Sequence, residues 1–174
     1  MRTLFLKAEI REKAMRHKAS PYNADNPEQL GAKGANAVAP FMLSLERLGK
    51  AELIEDYWQV FMLFGAAILM IDDWDDLEKD LSAGHYSFVT LGFDELYKSA
   101  DPKKTAQVFR SDMKRVRETY DCSKQMIGNS RAMLDRLNDP YLIRLVDVTE
   151  ARLDSFFQKR FKAHLDFAFE KKDE

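Results

Sequence analysis

The chain has one cysteine, Cys122, in 174 residues. That excludes an internal disulfide and fits a reducing, cytoplasmic setting. Cys122 lies in a polar stretch with no histidine near it in sequence, so it reads as a plain helix residue and not as a nucleophile. Histidine is also scarce: His17, His85 and His164 are far apart and form no metal-ligand pair. Basic residues are not in excess. The net charge of −2 offers no electrostatic footprint for nucleic acid. Glycine and proline are few, seven and five, and fall at breaks between segments. There is no internal repeat, no low-complexity tract and no alternating strand pattern. Met1 to Ser20 mixes acids and bases without a long apolar core, so no signal peptide is expected. The longest uncharged run, Tyr57 to Ile71, would span about 22 Å as a helix. That is short of a bilayer core and includes Gln59, so a buried central helix is expected and no membrane span.

What is present is an apolar fraction of 45 % beside 32 % charged residues. This predicts one globular domain, residues 1–174, large enough for a real core. The helix signals are regular. Thr3 to about Lys18 reads as an amphipathic helix, followed by a turn at Ser20-Pro21-Tyr22-Asn23. Asn26-Pro27 opens a helix to about Leu48 that bends at Pro40 and ends at Gly49. A central helix is expected over about 51–81, closed by Gly84. Phe88 to Tyr97 is short and apolar. Asp101-Pro102 and Asp139-Pro140 each read as a cap followed by a first-turn proline, opening helices at about 102–137 and 140–170. The fold class is all-α, a bundle of about five main helices. Phe156, Phe157, Phe161, Leu165 and Phe169 form an aromatic stripe that reads as core or a dimer seam. The small residues Gly31, Ala32, Gly34, Ala35, Ala37 and Ala39 read either as close helix packing or as room for a chain-like ligand.

The densest chemical signal follows the apolar run. Asp72, Asp73, Asp75, Asp76, Glu78 and Asp80 surround Lys79, a local charge of −5. Crowded carboxylates repel, and desolvating them is costly unless a cation neutralises them. A hard divalent metal does this; Mg²⁺ takes oxygen ligands and is completed by water and substrate phosphates. On a regular helix Asp76 lies about 40° from Asp72, Asp80 about 80°, Asp73 about 100°, and Lys79 about 20° the other way. The same face traced backwards carries Phe61, Gly65, Ile68 and Leu69. An apolar floor under an acidic rim suits a ligand with an apolar tail and an anionic head. The alternative is a solvated helix end. Against it, aspartate is a poor helix former, and a wet face would more naturally use glutamate.

Asp72-Asp73-x-x-Asp76 resembles the second aspartate-rich motif of the trans-prenyl diphosphate synthases. The longer series Asp72, Asp73, Asp76, Lys79, Asp80 is similar to the metal motif of class I terpene cyclases. Upstream, Gly31-Ala32-Lys33-Gly34-Ala35 stands where those synthases carry a diphosphate-binding lysine. Gly84-His85-Tyr86-Ser87 is similar to a turn of small relatives in the isoprenoid synthase superfamily. The resemblance covers about Gly31 to Gly92. It implies Mg²⁺ on Asp72, Asp73, Asp76 and Asp80, diphosphate on Lys33 and Lys79, and an isoprenoid tail along Phe61, Gly65, Ile68 and Leu69. The implied reaction is ionisation of an allylic diphosphate, followed by prenyl transfer or cyclisation. No second Asp-Asp-x-x-Asp occurs, and the chain resembles the C-terminal half of that fold. A second copy or a different subunit is therefore expected to complete any active site. The alternatives are a non-catalytic subunit or prenyl-diphosphate-binding protein of the same fold, and a structural helical protein with a wet acidic end.

Overall fold

The computed structural model describes residue 31 and residues 35–85, 87–90 and 101–170, except the side chains of 35, 36 and 162–170. The expected helix at 3–18, the turn at 20–23, the start near Asn26 and most of 88–97 lie outside the described residues. Among the described residues the protein is all-α, with six helices and no strand. They are α1 (Ala35–Arg47), α2 (Ile54–Asp75), α3 (Leu77–Ala83), α4 (Pro102–Ser111), α5 (Met113–Leu137) and α6 (Pro140–Glu170). Short 3₁₀ turns at Ala51–Leu53 and Phe88–Thr90 lie between them.

The helix ends follow local chemistry. Pro40 lies inside α1, and Ser44 donates its hydroxyl to the Pro40 carbonyl at 2.8 Å. Gly49 adopts φ +72°, which lets Lys50 N–H reach the Leu45 carbonyl at 2.9 Å and close α1. Gly84, at φ +67°, does the same for α3 through His85 N–H and the Asp80 carbonyl. Asp101 accepts from Lys103 N–H and Asp139 from Leu142 N–H, each ahead of a first-turn proline.

Two expected helices are divided. The 102–137 segment breaks at Asp112, where ψ is 87° and the carboxylate accepts from Arg115 N–H at 3.2 Å. Aspartate competes with the helical ladder through such local bonds, and here it ends one helix and caps the next. The 51–81 segment becomes a 3₁₀ turn, α2 and α3, with a bend at Asp76. The backbone bonds Asp76 N–H to Asp72 and Asp80 N–H to Asp76 persist through that bend.

Helix α2 is the centre. It packs against α1, α3, α5, α6 and the 88–90 turn. Its length and apolarity would suffice to cross a membrane, and 44 % of its most apolar stretch is buried within the described fold. Helix α5 presents Val116, Thr119, Ser123, Ile127, Ser130 and Leu134 to the interior. Its buried hydroxyls donate to carbonyls four residues back, Thr119 to Arg115, Ser123 to Thr119 and Ser130 to Met126. Polar atoms are thus satisfied while small side chains admit α2 closely. A Cβ at Gly31 would stand 1.9 Å from the Met62 carbonyl oxygen of α2, so only glycine permits this approach. Phe157 and Phe161 are buried core residues; Phe161 meets Trp74 edge-on at 5.5 Å and Phe157 at 5.8 Å. Leu165 and Phe169 have side chains outside the described residues.

Tyr57, at the start of α2, donates its hydroxyl to Asp139 Oδ2 at 2.9 Å. It links the central helix to the cap of α6. Burial, then the hydrogen bond and charge of Asp139, push the phenol up to about 12. A pKa raised in the folded state stabilises fully below the unfolded value, near 10, and the benefit is lost as pH rises towards 12. Tyr57→Phe should cost about 1 kcal/mol at neutral pH. It should also lessen the fall in stability between about pH 10 and 12. Urea midpoints across that range check this; parallel losses in both proteins would remove Tyr57 as a source.

Candidate functional site

The candidate site is the acidic junction of α2 and α3. The bend at Asp76 leaves the successive carboxylates in different surroundings. Asp72 is exposed, Asp76 and Asp80 are partly exposed, and Asp73 is buried. Lys79 Nζ bonds Asp76 Oδ2 at 2.9 Å. The lysine is held above its ordinary range by that hydrogen bond first, then by the charge of Asp76, with smaller effects from Asp80 and Asp72. Three of the rim carboxylates therefore act on one surface ammonium. Asp80 also stands 3.7 Å from His85 Nδ1.

Asp73 differs from its neighbours. Its Oδ2 accepts from Phe88 N–H at 2.7 Å. The bond holds the 87–90 turn, where Thr90 Oγ1 accepts from Ser87 N–H at 2.9 Å and donates to the Ser87 carbonyl at 3.1 Å. Arg115 Nη1 secures the same turn through the Val89 carbonyl at 2.6 Å. The quarter-turn between Asp72 and Asp73 thus separates a rim residue from an interior anchor. Asp73 is directed at the turn and not at the rim.

Helix α6 supplies partners that no local sequence signal announced. Arg160 pairs with Asp75 Oδ1 at 2.5 Å, its guanidinium lying over the Phe156 ring at 4.6 Å. Ile68, Ile71, Asp72, Asp75, Thr149 and Arg152 line a shallow cleft of about 160 Å³ between α2 and α6. Of the expected tail-lining residues, Ile68 lies at this cleft. Phe61 meets Phe41 edge-on at 5.4 Å. Leu69 packs against the core. A Cβ on Gly65 would stand 3.6 Å from Gly31 Cα, so that side of Gly65 is already occupied. Among the described residues, Ile68 is the one of the four that lines the α2–α6 cleft. Lys33 lies outside the described residues.

Among the described residues, no group of three or more His, Cys, Asp and Glu side chains is placed to hold a metal ion between them. The donor chemistry of Asp72, Asp76 and Asp80 still suits a hard cation. Mg²⁺ commonly takes one or two carboxylates and completes its shell with water and phosphate oxygens. Asp73 does not fit such a role, since its carboxylate already holds the Phe88 N–H.

These placements separate two aspartates of one motif. Asp73→Ala leaves a backbone N–H without its partner and should cost about 1–3 kcal/mol. Asp76→Ala removes only a solvent-screened surface pair and should leave stability nearly unchanged. Urea unfolding distinguishes them; equal effects would contradict the anchoring role of Asp73.

Comparison with models of known protein families, with curated proteins and with solved structures finds no match to this chain.

Proposed function

We propose that the α2–α3 junction binds an isoprenoid diphosphate through Mg²⁺, in a helical chain similar to the C-terminal half of an isoprenoid synthase. The observation that carries this reading is the series Asp72, Asp76 and Asp80 around Lys79, at the end of an apolar helix. Asp72, Asp76 and Asp80 would hold the metal. Lys79, and Lys33 by its family spacing, would neutralise diphosphate oxygens. Bound Mg²⁺ would supply charge neutralisation of the leaving diphosphate, the main requirement for ionising an allylic ester. This chain's residues would bind and orient the head group. Prenyl transfer or cyclisation would further need a dry apolar chamber.

A non-catalytic binding role is the second reading. It is favoured by the engagement of Asp73 with the Phe88 N–H, which takes one aspartate of the motif away from the rim. Both readings call for a second chain, and we assign that role to another copy. Tyr141, Leu145 and Val148 recur at helical spacing on α6 and are 87 %, 45 % and 60 % exposed. Such a stripe is suited to burial by a partner. Sedimentation velocity should show a dimer that Leu145→Glu weakens. A monomer at all concentrations would remove self-association from the proposal.

Calorimetric titration with geranyl, farnesyl and geranylgeranyl diphosphates should show binding only when Mg²⁺ is present. Asp72→Ala or Asp76→Ala should weaken it at least tenfold, about 1.4 kcal/mol. Equal affinity in the wild type and both variants would reduce the carboxylates to a solvated face. Turnover of an allylic diphosphate by the purified protein would favour the catalytic reading; binding without turnover would favour the second.

A further inference from the structure

The outward face of α6 repeats at heptad spacing. Tyr141, Leu145, Val148 and Arg152 follow one another at intervals of four, three and four residues, and all four side chains are exposed. Such intervals make the seam of a helix pair. They also read the same in both directions, so the seam can lie antiparallel on a second copy of itself. Leu145 then faces the partner's Val148, and Arg152 faces the partner's Tyr141. A parallel pairing would instead set Arg152 against the partner's Arg152, and like charges held together oppose association. Arg152 makes no ion pair among the described residues, so its guanidinium is free to lie over an aromatic ring.

Arg152 also lines the α2–α6 cleft, together with Ile68 and Ile71. At about 160 Å³ the cleft is well below the roughly 300–1,000 Å³ of a typical small-molecule pocket, and nearer to one large side chain. Thr149 donates its hydroxyl to the Leu145 carbonyl at 3.0 Å, which leaves its oxygen as an acceptor at the cleft. Aliphatic side chains, a guanidinium and an acceptor match the ring, the π-face and the hydroxyl of a phenol. Tyr141 is the most exposed of the large apolar side chains among the described residues, and it stands at the end of the seam. We propose that α6 pairs antiparallel with α6 of a second copy, and that the partner's Tyr141 fills the α2–α6 cleft beside Arg152. This rests on the self-association proposed above and gives it a direction and an anchor. Two-fold symmetry repeats the contact, so each copy offers one tyrosine and receives another. Four seam residues and one cleft make a small interface, so the dimer should dissociate on dilution.

Sedimentation velocity over a concentration series reads the affinity of the full chain for itself. Tyr141→Ala should weaken association at least about tenfold, as loss of a buried aromatic anchor does. Tyr141→Phe should keep most of it, since the ring makes the contact. Ile68→Ala, on α2, should also weaken the dimer, which a contact confined to α6 would not show. Val108→Ala, at an exposed position of α4, should associate as the wild type does. Tyr141 is exposed in the single chain, so its variants should melt as the wild type does under dilute conditions. Disulfide trapping, with Cys122→Ser as background, reads the direction. Arg144→Cys and Ala151→Cys chains should cross-link when mixed, and Ala151→Cys should not cross-link to itself. Cross-linking of Ala151→Cys to itself would mean parallel helices and overturn the proposal. A dimer broken by Leu145→Glu but indifferent to Tyr141→Ala and Ile68→Ala would keep self-association and overturn the cleft contact. A monomer at every concentration would overturn this inference and the self-association together, and leave the diphosphate reading to its own test.

Discussion

Burial of α2 is the constraint from which the rest of the fold follows. Its uncharged run from Tyr57 to Ile71 has to be covered on several sides, because exposed apolar area is the main free-energy cost of leaving it bare. Each flank meets this demand with different chemistry. Helix α5 uses small residues whose hydroxyls return to their own helix. The Gly31 flank uses the absence of a side chain. Helix α6 uses large aromatic rings, with Phe157 and Phe161 closing around Trp74 and Tyr120.

The same constraint creates the acidic junction. Where the apolar run stops, α2 emerges from its covering, and consecutive residues suddenly face different solvents. Asp73 remains on the covered side and is tolerated there because it holds a backbone N–H. Asp72 and Asp75 emerge towards α6, while Asp76 turns to Lys79. A single acidic run therefore contains an anchor for a turn, an ion pair to a distant helix and carboxylates exposed at the surface. Treating it as one uniform cluster of ligands overlooks that division.

The ion pairs along α5 and α6 belong to the same design. Lys124 bridges Glu150 at 2.5 Å and Asp154 at 3.1 Å, and Arg131 reaches Glu150 at 2.7 Å. Tyr120 donates to Asp154 as well, and burial followed by that bond raises its phenol above the ordinary range. These contacts set the register of α6 against α5. Register in turn decides which α6 residues stand opposite the acidic end of α2. Arg152 and Arg160 arrive there because the helix is held at that height.

The sequence by itself determined the all-α class and most helix ends, since caps act through their immediate neighbours. Asp101-Pro102, Asp139-Pro140, Gly49 and Gly84 carry their instructions within a few residues. Helical periodicity is local too, and it led to the expectation that Asp72, Asp76 and Asp80 share one face of one helix, whereas the helix is divided at Asp76. The tertiary structure decided what depends on distant contacts. Asp73 was separated from its neighbours by a turn fifteen residues away. Gly31 was required by the Met62 carbonyl of α2. Asp112 divided a helix that propensity would have continued, through one side-chain bond to Arg115. The arginines near the acidic rim come from α6, about eighty residues along the chain. No spacing rule within one helix encodes such a meeting, because packing of the helices, and not their periodicity, sets which side chains face one another.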